Sequence, residues 1–145
     1  MEATKKCFLI IVFQVPGDTE PYVLYSLVEL DRLVQQGKLG ADSDPVLVVG
    51  AGLSAADAII ACRFHGLSVL HAFRKSPGDP GSVFNQLPEN MYPEYHKVHQ
   101  MMMDGGKGYK KYHALPEHSI VDITPDNKVG FEIMNFFSPA CILGK

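Results

Sequence analysis

Gly50-Ala51-Gly52-Leu53-Ser54-Ala55 is the stretch of this chain whose residue types and spacing point most directly to chemistry. It matches G-x-G-x-x-G/A, a pattern in which each fixed position has a physical task. Gly50 permits a tight turn out of a strand. Gly52 has no Cβ, so a pyrophosphate can approach the backbone. Ala55 is small, so the following helix can pack close to the strand. Ala51 and Leu53 complete the turn. The helix start offers unpaired N–H groups and a partial positive charge to phosphates, and Ser54 can add a hydroxyl donor. The chemistry implied is dinucleotide binding. The competing reading is a strand–turn–helix scaffold that binds nothing.

The end of the next apolar run separates the two nicotinamide cofactors. An NAD site usually places an acidic residue about 20 residues on, for the ribose 2′-hydroxyl. Here the sequence is His71-Ala72-Phe73-Arg74-Lys75, and no acid appears before Asp79. Arg74 lies 24 residues after Gly50, where a guanidinium could meet a 2′-phosphate, with Lys75 assisting. These residues favour NADP(H) over NAD(H); the bland alternative is two solvated charges at a strand end.

Other constellations carry less. His96 and His99 stand three apart on an expected helix, but a zinc site needs three or four ligands and no partner cluster is evident. Tyr95, Val98 and Met102 read as a packing stripe. Gly106-Lys107-Gly108 lacks the rest of a P-loop, and there is no G-x-S-x-G elbow and no Tyr-x-x-x-Lys pair. Asp57 is placed in the first turn of the glycine-motif helix, where the helix dipole accounts for it. No catalytic acid, base or nucleophile is evident, so the hard chemistry is assigned to a cofactor.

These residues need elements to position them. Cys7–Val15 reads as a strand stopped by Pro16-Gly17, and Tyr22–Gln36 as a helix with apolar residues at helical spacing. Pro45–Val49 is an apolar, β-branched run suited to a central parallel strand. Leu53–His65 is a helix closed by Gly66, and Leu67–Phe73 a second buried strand. Strand, turn, helix and strand in about 30 residues make a βαβ unit. Ser76–Asn90 reads as a loop and Pro93–Met103 as a short helix with proline in its first turn. Gly105–Lys111 is a basic, flexible link. Ser119–Ile123 and Lys128–Ile133 form a β-hairpin around Thr124–Asn127, and Met134–Lys145 has no pattern. The expected class is α/β: a Rossmann-like βαβ dinucleotide-binding domain of the FAD/NAD(P)-binding kind, with a C-terminal hairpin.

Composition bounds the rest. The 145 residues suit one domain. Thirteen basic against 16 acidic residues leave a net charge of −3, which does not suggest nucleic acid or an anionic membrane. Cys7, Cys62 and Cys141 are odd in number and far apart, as expected of free thiols in a reducing compartment. There is no N-glycosylation sequon, and the expected location is cytoplasmic. The apolar run Cys7–Val15 is too short to span a bilayer. Behind Lys5-Lys6 it has a signal-like outline, but no small-x-small cleavage site follows.

A resemblance adds to this reading. The run DPVLVVGAGLSAADAIIACRFHGLSVLHAFRKSPGDPGSVFNQLPENMYPEYHKVHQMMM, Asp44–Met103, resembles the oxidative stress-induced growth inhibitor family. FNQLP and PEYHKVHQMM are its distinctive parts, and YKKYHALPEHSI continues the likeness more weakly. VPGDTEPYVLYSLVEL is similar to the segment preceding the NADP domain in that family. The family is itself similar to flavin-containing and N-hydroxylating monooxygenases, with one FAD domain and an inserted NADPH domain. The resemblance implies that Gly50, Gly52, Ser54 and Ala55 belong to the NADPH motif and that Arg74 contacts the 2′-phosphate. It also implies a link to control of cell growth, death and division.

The expected organisation is residues 1–43 as a strand and helix left from a preceding FAD-type domain or linker, 44–133 as the NADP(H)-binding domain, and 134–145 as an irregular tail. The chain looks like a fragment. FAD is expected for the full-length family, but no second glycine motif precedes Gly50, so this chain alone is expected to be inactive. The leading reading is the NADPH-binding portion of a flavin-dependent monooxygenase-like protein, with protein partners in growth control and no membrane span. The alternative is a non-catalytic regulatory or interaction module that keeps the scaffold.

Overall fold

A computed structural model describes residues 2–6, 9–12, 23–24, 27–123 and 128–133, with side chains over 27–119. Its central feature is a parallel sheet. Strands β2 (Leu9–Val12), β3 (Val23–Leu24), β4 (Val46–Val49), β5 (Val69–Phe73) and β6 (Tyr112–Pro116) lie in the order β3-β2-β4-β5-β6. Leu9 pairs with Val46, Val46 with Val69, and Val69 with Tyr112. A second, antiparallel sheet has the order β1-β8-β7, from β1 (Glu2–Lys6), β7 (His118–Ile123) and β8 (Lys128–Ile133).

The expected α/β class with a parallel sheet is what the chain forms, and β4, α2 (Leu53–Phe64) and β5 make the βαβ unit. The expected strand at 7–15 is present over Leu9–Val12; its flanks lie outside the described residues, as do the turn 124–127 and the tail 134–145. Two expectations are corrected. The helix expected from Tyr22 begins only at Leu27, as α1 (Leu27–Gln35), because Val23-Leu24 pairs with Ile10-Ile11 as a strand. Tyr112–Pro116, to which the sequence reading assigned no element, is the edge strand β6.

Strand composition follows burial. Val46, Leu47, Val48, Val69, Leu70, Ala72 and Phe73 are all buried, as expected of parallel strands covered on both faces. Residues alternate between faces along a strand. Val46, Val48, Val69 and Phe73 join the cluster formed with Ala55, Ala58, Ile59 and Cys62 of α2 and Val98, Met101 and Met102 of α3 (Pro93–Asp104). Leu47 and Leu70 point the other way and are buried too.

Alanine has the highest helix propensity, and its small side chain lets α2 lie close on the sheet. Gly66, at φ +71°, turns the chain out of α2. The expected link Gly105–Lys111 is tied down: Tyr109 Oη donates to the Leu67 carbonyl at 2.6 Å and Lys111 Nζ to the Gly66 carbonyl at 2.8 Å. Arg63 lies over the Tyr109 ring at 5.7 Å. Among the described residues no helix is long and apolar enough to cross a membrane.

Candidate functional site

The sheet order decides where a ligand could sit. The chain leaves β2 toward β3 on one side and leaves β4 toward β5 on the other. In open α/β sheets ligands bind outside the carboxyl ends of the strands at such a reversal. The turn Gly50–Gly52 follows directly from β4, at that point.

The turn is held from β5. Gly50 N–H donates to the Ala72 carbonyl at 2.9 Å. The Gly50 carbonyl lies 2.6 Å from His71 Nε2, and His71 Nδ1 lies 2.8 Å from Tyr112 Oη. Gly50 has φ +117°, a conformation that L side chains rarely adopt, and a Cβ there would sit 3.9 Å from Ala55 Cβ. Gly52 is the N-cap of α2 in extended backbone, and a Cβ there would meet open space. Ala55 is 3% exposed, so its small side chain sets how closely α2 approaches the strand.

The first bond into the helix is Ala56 N–H to the Gly52 carbonyl at 3.1 Å. Among the described residues, no acceptor meets the backbone N–H groups of Ala51, Gly52, Leu53, Ser54 or Ala55. Four unsatisfied donors are the ordinary property of a helix start. What is particular here is the cavity beside them, of about 300 Å³, lined by Ala51, Gly52, Lys75, Ser76, Ser82 and Val83 among others. That volume is at the lower end for ligand pockets.

The two expected cations separate. Lys75 lines this cavity; Arg74, the neighbour at the end of β5, is exposed and is not among its lining residues. Neither forms an ion pair or hydrogen bond among the described residues. Asp79 also lines the cavity, but its Oδ1 accepts from Gly81 N–H at 2.7 Å.

The far wall is a loop clipped to α3. His96 Nε2 meets the Leu87 carbonyl at 2.8 Å and His99 Nε2 the Pro77 carbonyl at 3.1 Å, while His99 stacks on buried Phe84 at 5.0 Å. The two histidines are thus loop anchors. Among the described residues no group of three metal-ligating side chains comes together. Within the expected stripe, Val98 and Met102 are buried; Tyr95 is partly exposed and donates from Oη to Asp57 Oδ1 at 2.8 Å. Asp57 therefore lies past the first turn of α2 and serves as that acceptor, which corrects its reading as a helix-dipole residue. The hydrogen bond to Asp57 is the main cause raising the Tyr95 pKa.

His71 is the residue the sequence reading missed. It is 1% exposed in the middle of β5. Burial lowers its pKa to about 4, against the opposing effect of its bond to Gly50. The ring is therefore neutral near pH 7. A carbonyl can only accept, so Nε2 carries the proton and Nδ1 accepts from the Tyr112 hydroxyl. The available signal was a lone polar residue inside the apolar run Leu67–Phe73. Cys62 contributes no reactive thiol, since burial pushes its pKa up to about 12.

Fold and turn together define an α/β protein with a glycine-rich strand-to-helix turn at the reversal point of a parallel sheet. Comparison with known proteins is more specific. The chain is 48% identical over 122 residues to oxidative stress-induced growth inhibitor 1 of Mus musculus and 43% identical over 122 residues to that of Homo sapiens, covering 81% of this chain and 26% of each relative. It is 38% identical over 120 residues to oxidative stress-induced growth inhibitor 2 of Homo sapiens, covering 79% of this chain and 24% of the relative. No protein-family model and no solved structure matches. The chain belongs to the oxidative stress-induced growth inhibitor family. It spans about a quarter of the length of the relatives it matches.

Proposed function

We propose that this chain is the NADP(H)-binding portion of a flavin-dependent monooxygenase-like protein that acts in growth regulation under oxidative stress. The regulatory half of this reading comes from the names of its relatives. The cofactor half is supported by one observation above all. Ala51 and Gly52, whose N–H groups meet no acceptor among the described residues, line a cavity that Lys75 also lines. Gly52 leaves open the space a Cβ would fill, so the residues present suit a pyrophosphate.

NADPH, when bound, supplies a hydride. The chain's own residues bind and orient it. The turn holds the pyrophosphate by backbone N–H donation, and Lys75, with the neighbouring Arg74 assisting, favours the 2′-phosphate by charge. Only Gly50–Ala55 matches the glycine pattern among the 145 residues.

The test is a titration of the chain with NADPH and NADH, beside Lys75→Ala and Arg74→Ala. A charge-assisted contact contributes roughly 1.5–3 kcal/mol, or about 10- to 150-fold in affinity. NADPH is expected to win by that margin, with Lys75→Ala erasing more of the preference than Arg74→Ala. A folded chain that binds neither nucleotide would sink the proposal.

The second reading, a regulatory module acting through protein contacts, is favoured by a different observation. Phe64 is 83% exposed beside a cavity of about 290 Å³ between α2 and α3, lined also by Ile60, Val98 and Met101. Failure of the nucleotide titration would bring that surface forward.

A further inference from the structure

We propose that His71 is the positioning residue of the glycine turn. Its tautomer is set by Tyr112, and through the Gly50 carbonyl it fixes the peptide that aims the Ala51 N–H at a bound phosphate. The proposal rests on the dinucleotide reading above and adds to it a residue outside the glycine motif.

The argument is geometric. Gly50 is gripped from β5 at both polar atoms, its N–H by the Ala72 carbonyl at 2.9 Å and its oxygen by His71 Nε2 at 2.6 Å. In a trans peptide the C=O and the following N–H point in opposite directions. Holding the Gly50 oxygen on His71 therefore turns the Ala51 N–H away from the imidazole. Ala51 and Gly52 line the cavity, and no described residue accepts from Ala51 N–H.

Glycine at φ +117° has access to conformations other residues avoid, so this peptide needs an external restraint. His71 supplies it only while Nε2 carries the proton. Tyr112, buried at 1% exposure on β6, makes that the favoured state by donating its hydroxyl to Nδ1 at 2.8 Å. The edge strand is thereby coupled to the phosphate turn, with a side chain of β5 as the link.

Two kinds of measurement test this on the full 145-residue chain. The first needs no ligand. Long-range ¹H–¹⁵N spectra of the imidazole at pH 7 should show the neutral Nε2–H tautomer, and Tyr112→Phe should shift the ring toward a tautomer mixture. An Nδ1–H ring in the wild type overturns the proposal.

The second is binding. His71→Leu should weaken NADPH and NADH alike, by about threefold to tenfold, because the pyrophosphate turn is common to both. The NADPH/NADH ratio should stay fixed, unlike that of Lys75→Ala. His71→Gln, whose amide can donate to Gly50 and accept from Tyr112, should recover most of the loss; should His71→Leu fail to fold, Tyr112→Phe carries the comparison with a smaller, ratio-neutral loss. A changed ratio, or a glutamine variant as weak as the leucine one in a folded chain, overturns the proposal. If the folded wild type binds neither nucleotide, the dinucleotide reading falls separately. The amide shift of Ala51 then decides: movement in His71→Leu that His71→Gln largely reverses supports positioning of the peptide, and no movement in a folded His71→Leu overturns it.

Discussion

At Gly50 the backbone takes φ +117°, while at Gly52, two residues on, it is extended and a Cβ would meet nothing within 4 Å. The two glycines of one motif thus answer different demands, one conformational and one steric toward a ligand. Gly50→Ala is expected to cost about 1–3 kcal/mol of stability, the scale of a strained backbone position, measured by denaturant melts. Gly52→Ala should leave stability within about 0.5 kcal/mol yet weaken NADPH binding in the same preparation, because its methyl occupies the space a phosphate needs.

His71 carries a pH dependence of definite sign. Its folded pKa of about 4 lies below the ordinary 6.5, so between those values the unfolded chain binds the extra proton. Stability from this residue is therefore complete above about pH 6.5 and is lost as pH falls through about 4, a change of about 3 kcal/mol. Melts across that window should flatten in His71→Gln.

At the scale of elements, α3 is the frame of the cavity wall. Pro93 occupies its start, where no N–H is required, and Gly105 at φ +76° closes its end. Val98, Met101 and Met102 face the core, while His96 and His99 reach the carbonyls of Leu87 and Pro77. Replacing both histidines by alanine should loosen the 76–90 loop more than the helix. Hydrogen exchange at Phe84–Leu87 and limited proteolysis within the loop should both rise, with about 1 kcal/mol lost per bond.

The expected histidine spacing was visible in the sequence, but its role was not. Both acceptors are backbone carbonyls, and a loop's backbone path is not written in side-chain periodicity. Strand β6 was hidden for a related reason. Tyr-His-Ala-Leu-Pro neither alternates cleanly nor concentrates β-branched residues, and it becomes a strand by pairing with Val69–Phe73, some 40 residues away.

On the scale of the molecule, the parallel sheet and its helices share one core, so the cost of a substitution depends on burial. Ile59, fully buried between α2 and the sheet, should lose about 2–5 kcal/mol on change to alanine. Phe64, one turn along and 83% exposed, should change stability by less than about 0.5 kcal/mol on change to glutamine. Parallel thermal melts check the pair. If both variants lose stability equally, Phe64 is packed against something and the exposed face of α2 must be redrawn.

The sequence by itself determined the local units: the apolar run before Gly50, the alanine-rich helix after Gly52, the small residue at Ala55, the charges at Arg74 and Lys75, and the membership of the family. Each depends on neighbours a few residues apart, where steric rules and helical or strand periodicity act directly. Only the tertiary structure decided the sheet order, which sets the glycine turn at a reversal point. It also drew Lys75 rather than Arg74 to the cavity wall, and joined His71 to Gly50 and Tyr112 across 21 and 41 residues of chain. The physical reason is that strand order and side-chain hydrogen bonding are settled by which surfaces meet when the core closes. A run such as Val-Leu-His-Ala-Phe states that it will be buried, but not beside which carbonyl its one polar ring will come to rest.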